Sequence, residues 1–272
     1  MQHSSRGSKP LRTLRFTATT KRQVADTVAE EEPLEIQLIH QGRTHPVAIT
    51  MRTPGRDLDL AIGFLFTEGL LPPGHRVGGG GAQVQTNKVS LPWPEHLPLS
   101  LRRIERHSYT SSSCGVCGKT SLEMVYSTVP FAQVPATWSV PAEVLPTLPD
   151  RLRAAQELFA TTGGIHAAGL FDRSGVLLQH AEDVGRHNAV DKLIGHYYTM
   201  NFLPLHEYIL VLSGRASFEL LQKAAMAGIP FVASVGAPSS LAVELAEDQG
   251  ITLCGFVRAG GFNCYTHPER IT

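Results

Sequence analysis

The chain has 272 residues, 42% hydrophobic and 18% charged, which is enough apolar content to bury a large core in one domain or two. Basic and acidic residues both number 24, and a net charge of zero argues against a dedicated nucleic-acid binder, which needs a basic excess for the phosphates. No apolar run reaches the length of a membrane span, no apolar stretch follows Met1 as in a secretory signal, and four cysteines are too few for a disulfide scaffold, so a cytoplasmic protein is expected.

Residues 1–22 hold six basic side chains and no acid, without helical or strand periodicity, so a disordered basic tail is expected over 1–30. An N-terminal α+β domain is expected over 31–129. Leu34, Ile36 and Leu38 alternate with polar residues, as do Val47 and Ile49, which predicts a β-hairpin around Gln41-Gly42. Asp57 then opens a helix closed by Gly69, and a further strand pair is expected at 82–92 and 100–107. Five prolines within 130–149 mark a linker or surface wrap. Residues 150–272 read as an α/β cofactor-binding domain. A helix opens at Asp150 with Leu152, Ala155 and Phe159 on one side. Strands at 165–171 and 175–180 are joined by an Asp172–Gly175 turn. Strands at 208–212, 231–235 and 251–257 then alternate with helices. Near-continuous apolar strands with short helical connections predict a mostly parallel sheet between layers of helices.

The sharpest chemical feature is Ser113-Cys114-Gly115-Val116-Cys117-Gly118-Lys119. Two thiols three positions apart in a glycine-rich loop can share a proton. One thiolate then forms near neutral pH, and the thiolate is the species that attacks sulfur. Four readings stay open for Cys114 and Cys117: half of a zinc site, a thioredoxin-like dithiol, a structural pair, and a sulfur-handling nucleophile. Zinc lacks a second ligand pair, because Cys254 and Cys264 are ten residues apart. A thioredoxin-like motif should follow a strand and open a helix. The sulfur-handling nucleophile is therefore favoured and no metal is expected; Cys254 and Cys264 read as structural thiols.

The second feature is Glu182-Asp183-Val184-Gly185-Arg186-His187-Asn188, where a strand meets a helix. Helix N-termini favour anions, and Arg186 and His187 strengthen that. Ser213-Gly214-Arg215 and Gly236-Ala237-Pro238-Ser239 repeat the design, and the tail from Phe256 to Gly261 ends a strand with Arg258 and a glycine pair. Parallel α/β sheets take ligands at the carboxyl ends of their strands, so these junctions predict one anionic ligand face. His166 opens a strand beside it and reads equally as structural.

Taken together, Ser-Cys-Gly-Val-Cys-Gly-Lys at 113–119, Thr-Gly-Gly-Ile-His at 162–166, Glu-Asp-Val-Gly-Arg-His-Asn-Ala-Val-Asp-Lys at 182–192, Ser-Gly-Arg at 213–215 and Gly-Phe-Val-Arg at 255–258 resemble the FdhD family of formate dehydrogenase accessory sulfurtransferases. The resemblance implies a bacterial, cytoplasmic, dimeric protein with a three-layer α/β domain similar to the cytidine-deaminase fold. It implies that persulfide sulfur is accepted from a cysteine desulfurase and passed to the molybdenum bis(molybdopterin guanine dinucleotide) cofactor on its way to formate dehydrogenase. Cys114 matches the family's persulfide cysteine and Cys117 its partner. Phe256, Val257, Arg258, Ala259, Gly260 and Gly261 match its cofactor-binding segment, with Arg186, His187 and Arg215 as further candidate contacts and GDP as a partial mimic of the ligand. The chain departs from the family pattern at Gly260-Gly261 and at Cys264. A cofactor-holding chaperone without sulfur chemistry is the other reading. Zinc-deaminase chemistry does not carry over, because the α/β unit lacks a His-x-Glu.

Overall fold

A computed structural model of the protein describes residues 7–75, 81–95, 129–131 and 138–272. The expected basic tail is ordered over much of its length. β1 (Ser8–Phe16) and β2 (Lys21–Ala29) pair as an antiparallel hairpin from Ser8↔Ala29 to Phe16↔Lys21. Both faces of this ribbon are largely exposed, so no side is selected for apolar residues and the period-2 signal is missing from the sequence.

The hairpin expected around Gln41-Gly42 is present as β3 (Glu32–His40) and β4 (Arg43–Arg52). The span 82–92 divides into β5 (Gln83–Gln85) and β6 (Lys88–Pro92), turning at Asn87 with φ 59°, and the strand expected at 100–107 lies outside the described residues. β6 runs parallel to β3, which gives a four-stranded sheet in the order β4-β3-β6-β5. Between β4 and β5 lies α1 (Asp57–Thr67), closed by Gly69 at φ 70° as expected.

Beyond the proline-rich stretch, Trp138, Val140 and Leu145 are buried, and Val140 bridges to Ile271 near the end of the chain. The single helix expected from Asp150 is two. α2 (Leu148–Ala155) breaks at Gln156, and α3 (Glu157–Thr162) follows in a new direction. Phe159 consequently leaves the apolar stripe, and its ring instead lies under the Arg153 guanidinium, 3.3 Å from centroid to charge centre.

The main sheet has six strands in the order β12-β11-β10-β9-β7-β8. These are β7 (His166–Phe171), β8 (Leu177–Asp183), β9 (Ile209–Leu212), β10 (Phe231–Ser234), β11 (Thr252–Arg258) and β12 (Gly261–Thr266). It is mixed rather than mostly parallel. Only β9–β10 and β10–β11 are parallel; β7 joins β8 and β9 antiparallel, and β12 folds back on β11. The expected Asp172–Gly175 turn joins β7 to β8, with Asp172 Oδ1 accepting the Ser174 and Val176 amides at 2.9 Å each. β12 escapes sequence reading because its central residues are exposed.

Helices α4 (Arg186–Thr199), α5 (Phe218–Met226) and α6 (Ser240–Asp248) bury against one face of this sheet, in an apolar core shared with α1 and the four-stranded sheet. Leu145, Leu148 and Leu152 cover the other face, over Phe171, Ile209, Phe231 and Val257. α1 and α4 touch backbone to backbone. A Cβ on Gly63 would lie 1.9 Å from the Asp191 carbonyl oxygen, and one on Gly195 would lie 1.9 Å from that of Asp59. No helix among the described residues is long and apolar enough to cross a membrane.

Candidate functional site

The carboxyl ends of β8, β9, β10 and β11 and the start of β7 share one edge of the main sheet. Backbone bonds string the loops along this edge into a rim. The Gly236 amide donates to Gly214 O at 2.9 Å, and the Phe256 amide to Gly236 O at 3.2 Å. Gly236 permits the approach, since a Cβ there would sit 3.0 Å from the Arg215 backbone. Phe256 takes φ 55°, a conformation uncommon for a bulky residue, and is 40% exposed on the rim.

The Glu182–Lys192 motif divides between two tasks. Most of its polar residues hold the fold. Both Glu182 carboxylate oxygens accept amides that open α3, from Leu158 at 3.0 Å and Phe159 at 2.8 Å. Asp183 is fully buried; it accepts the Gly185 amide at 2.8 Å and the Thr53 amide at 3.2 Å and pairs with the Lys192 amine at 2.7 Å. Burial nevertheless pushes its carboxyl above the usual carboxylate range. Asn188 donates to Met51 O at 2.7 Å, and Asp191 accepts from Thr67 Oγ1 at 2.8 Å and from Lys223 Nζ at 2.9 Å. These bonds tie α4 to β4, α1 and α5.

Arg186 and His187 remain for other work. His187 is only 8% exposed; its Nδ1 has no hydrogen-bond partner among the described residues, and neither does the buried Nε of Arg186, while His187 Nε2 faces the Glu219 carboxylate. Glu219 Oε2 is 3.9 Å from His187 Nε2, and the imidazole holds that carboxyl down at about 2. His166 stands close by. Burial first, then the charges of Arg186 and His187, hold its imidazole below the ordinary histidine range. It is therefore neutral at pH 7 and able to donate from one nitrogen and accept at the other.

Next to His166 opens a cleft of about 580 Å³, lined among others by Arg153, Gln156, Phe159, Val184, Ser213 and Val235. Gln156 is 4% exposed, and its Nε2 is buried without a hydrogen-bond partner among the described residues. Arg153 and Gln156 escape sequence reading, because only the break between α2 and α3 turns them toward the sheet edge. A buried donor without a partner costs about 1–3 kcal/mol, so polar ligand atoms that reach Gln156 Nε2, Arg186 Nε and His187 Nδ1 recover energy the free protein lacks.

The rim gathers Arg186, His187, Arg215, Phe256 and Arg258 along the strand ends. Arg215, Arg258, Ala259 and Gly260 are exposed and Gly261 half-buried, whereas the Val257 side chain is fully buried under the sheet, so that only its backbone serves the rim. Four strand spacings separate β8 from β11, about 19 Å, so the face suits an elongated anionic ligand. Cys114 and Cys117 lie outside the described residues.

Residues 29–272 match the FdhD/NarQ family. A "Sulfur carrier protein FdhD" from Streptomyces coelicolor is 49% identical over 256 residues, which is 90% of this chain and 89% of that one. Proteins of the same name from Mycobacterium tuberculosis and Picrophilus torridus are 47% and 42% identical, covering 91% of this chain and 92% and 93% of theirs. The fold matches the crystal structure of a formate dehydrogenase accessory protein from Desulfotalea psychrophila, with a TM-score of 0.75, 24% identity, and 97% and 99% of the two chains covered.

Proposed function

Because the chain belongs to the FdhD/NarQ family, we propose that it is a sulfur carrier for formate dehydrogenase maturation, with Cys114 as the carrying thiol and the strand-end rim as the seat of the acceptor. The Cys114 thiolate attacks the outer sulfur of a persulfide presented by a cysteine desulfurase. The new S–S bond leaves Cys114 as a persulfide and returns the donor as a thiolate, so no external oxidant or reductant is consumed. Cys117 assists ionisation of Cys114 and release of the sulfur. The acceptor is the molybdenum bis(molybdopterin guanine dinucleotide) cofactor, bound as substrate. Arg186, Arg215 and Arg258 face its phosphates, and neutral His166 and Gln156 offer hydrogen bonds to uncharged ring edges. A protein of this kind works in the cytoplasm, as a homodimer, and its α/β unit belongs with the cytidine-deaminase-like three-layer folds.

The observation that carries the ligand half is the set of buried polar atoms without partners at Gln156 Nε2, Arg186 Nε and His187 Nδ1, beside exposed arginines on one sheet edge. The sulfur half rests on the Cys114–Cys117 motif and the names of the relatives.

Incubation with a cysteine desulfurase and cysteine should add one sulfur atom to Cys114, seen by mass spectrometry of the peptide, and Cys114→Ser should abolish it. An unmodified Cys114, with or without label on another cysteine, overturns the sulfur half, and a chaperone that only holds the cofactor would support formate dehydrogenase maturation equally well with Cys114→Ala. For the ligand half, GDP should bind with a micromolar to millimolar Kd, and Arg215→Ala should weaken it by roughly 1–3 kcal/mol through loss of a charge-assisted contact. Calorimetry showing no GDP binding counts against the rim as the ligand face.

A further inference from the structure

Cys254 and Cys264 are directly opposite each other in the antiparallel β11–β12 pair, just before the end of β11 that carries Phe256 and Arg258. Opposite residues of a regular antiparallel pair have Cα atoms about 4.5–5.5 Å apart, inside the range of about 4.4–6.8 Å that a disulfide spans, and this pair stands next to a register shift between Leu253 and Cys254. The two thiols differ sharply in surroundings. Cys254 is fully buried, whereas Cys264 is exposed. We propose that Cys254 and Cys264 form a second reactive thiol site, separate from Cys114 and Cys117, in which Cys264 is the nucleophile toward low-molecular-weight disulfides and Cys254 is the thiol that steadies and then resolves it.

The chemistry follows from the pairing. The neighbouring Cys254 thiol holds the Cys264 thiol down at about 7, and that same coupling, with burial, pushes Cys254 up. The other groups acting on Cys264 are Glu269, which opposes ionisation, and His267, which favours it; His267 Nδ1 is 3.1 Å from Glu269 Oε1, and its Nε2 is 3.9 Å from Glu247 Oε2 on α6. In its neutral form the Cys264 thiol donates to Thr266 O at 3.3 Å. The Cys264 thiolate attacks a disulfide R–S–S–R, forming a mixed disulfide and releasing R–S⁻. The Cys254 thiol passes its proton to the released R–S⁻, and its sulfur then attacks Cys264 Sγ, closes the Cys254–Cys264 bond and releases the second R–S⁻. The external disulfide takes up the two electrons that the thiols give, so the balance closes. The bond ties β11 to β12 across residues 255–263, a segment whose pairing is irregular between Gly255 and Arg258. Oxidation therefore staples the base of the strand end that bears Phe256 and Arg258.

The test uses the full-length protein and oxidised glutathione. Trypsin cuts after Lys223, Arg258 and Arg270, which places the two cysteines in separate peptides, 224–258 and 259–270. These peptides should emerge linked after oxidation and separate on reduction, whatever happens on the peptide holding Cys114. Cys264→Ser should abolish the link and leave Cys254 unmodified. Cys254→Ala should trap glutathione on Cys264, and should move the midpoint of Cys264 alkylation with iodoacetamide upward from near pH 7 toward the free-thiol value of about 8.5. Cys254→Ser, which keeps a donor, should hold the midpoint low. If Cys254→Ala does not fold, the wild-type link and Cys264→Ser decide alone. Unlinked peptides, or Cys264 alkylating with a free-thiol midpoint in the wild type, overturn the proposal without touching the role of Cys114.

Discussion

Gly63→Ala sets two effects of opposite sign against each other. Alanine is the better helix former by about 0.8–1 kcal/mol, so propensity alone predicts a more stable protein. Packing predicts the reverse. The new methyl would lie 1.9 Å from the Asp191 carbonyl oxygen, an obstacle that belongs to backbone and has no rotamer to change. α1 and α4 must part by roughly 1 Å. A gap of that size forfeits a quarter to a half of the dispersion energy of the contacts it opens, and overpacking of this kind costs about 1–3 kcal/mol or more. The upper end applies here, because Leu60, Leu193 and Ile194 sit fully buried in the same core. A net loss of about 2 kcal/mol or more is expected, read as a lowered urea midpoint at unchanged slope. Gly195→Ala should behave alike, since its Cβ would meet Asp59 O at 1.9 Å. The double variant should cost less than the two losses added, because one separation relieves both clashes. A Gly63→Ala protein as stable as the parent, or more so, would show that helix propensity decides and that the helix crossing has slack.

Lys223→Met strips Asp191, Glu68 and Thr67 of a buried amine within 3.3 Å of each, and should cost about 3–5 kcal/mol in a thermal or urea melt; adding Asp191→Asn should recover part of it, since the uncompensated carboxylate is then gone. Glu219 titrates at about 2 in the folded protein against an ordinary 4.5, so its share of stability is complete above pH 4.5 and is lost as the pH falls toward 2. Glu219→Gln should flatten the acid limb of the stability curve in that window, and an unchanged acid limb would remove His187 as its partner.

The legible parts of the fold are those where one face is buried and the other is not. Leu34, Ile36 and Leu38 announce β3, and the apolar runs at 209–212 and 231–234 announce the centre of the main sheet. β1 and β2 are silent because water meets both faces, and β12 because its middle residues are exposed. Strand direction is legible only in part. The short Asp172–Gly175 turn reads as a hairpin and gives the antiparallel β7–β8 pair, whereas nothing in the apolar run His166–Phe171 shows that β9 lies antiparallel on its other side. At the site, charges beside glycines at strand ends point to Arg186, Arg215 and Arg258. Gln156 and Arg153 carry no such mark, since their place at the cleft depends on a helix break that the sequence does not signal.

The partners of the Glu182–Lys192 motif explain why so many polar residues stand together there. Asn188 and Lys192 reach Met51 O and Thr53 O, backbone atoms of the first half of the chain, while Asp183 takes the Thr53 amide. Arg56 returns the contact by donating to His180 O at 2.9 Å and Lys192 O at 3.2 Å. The N-terminus of α4 is thus fixed from outside its own domain, by the segment that joins β4 to α1. Arg186 and His187 open that helix, so these two side chains are aimed by the half of the sequence that also carries Cys114. On the proposed function, sulfur arrives on one half and is delivered on the other, which needs those halves in register. Buried ion pairs and amide bonds serve that need better than apolar contact, because their directionality penalises any slip of α4 along β4.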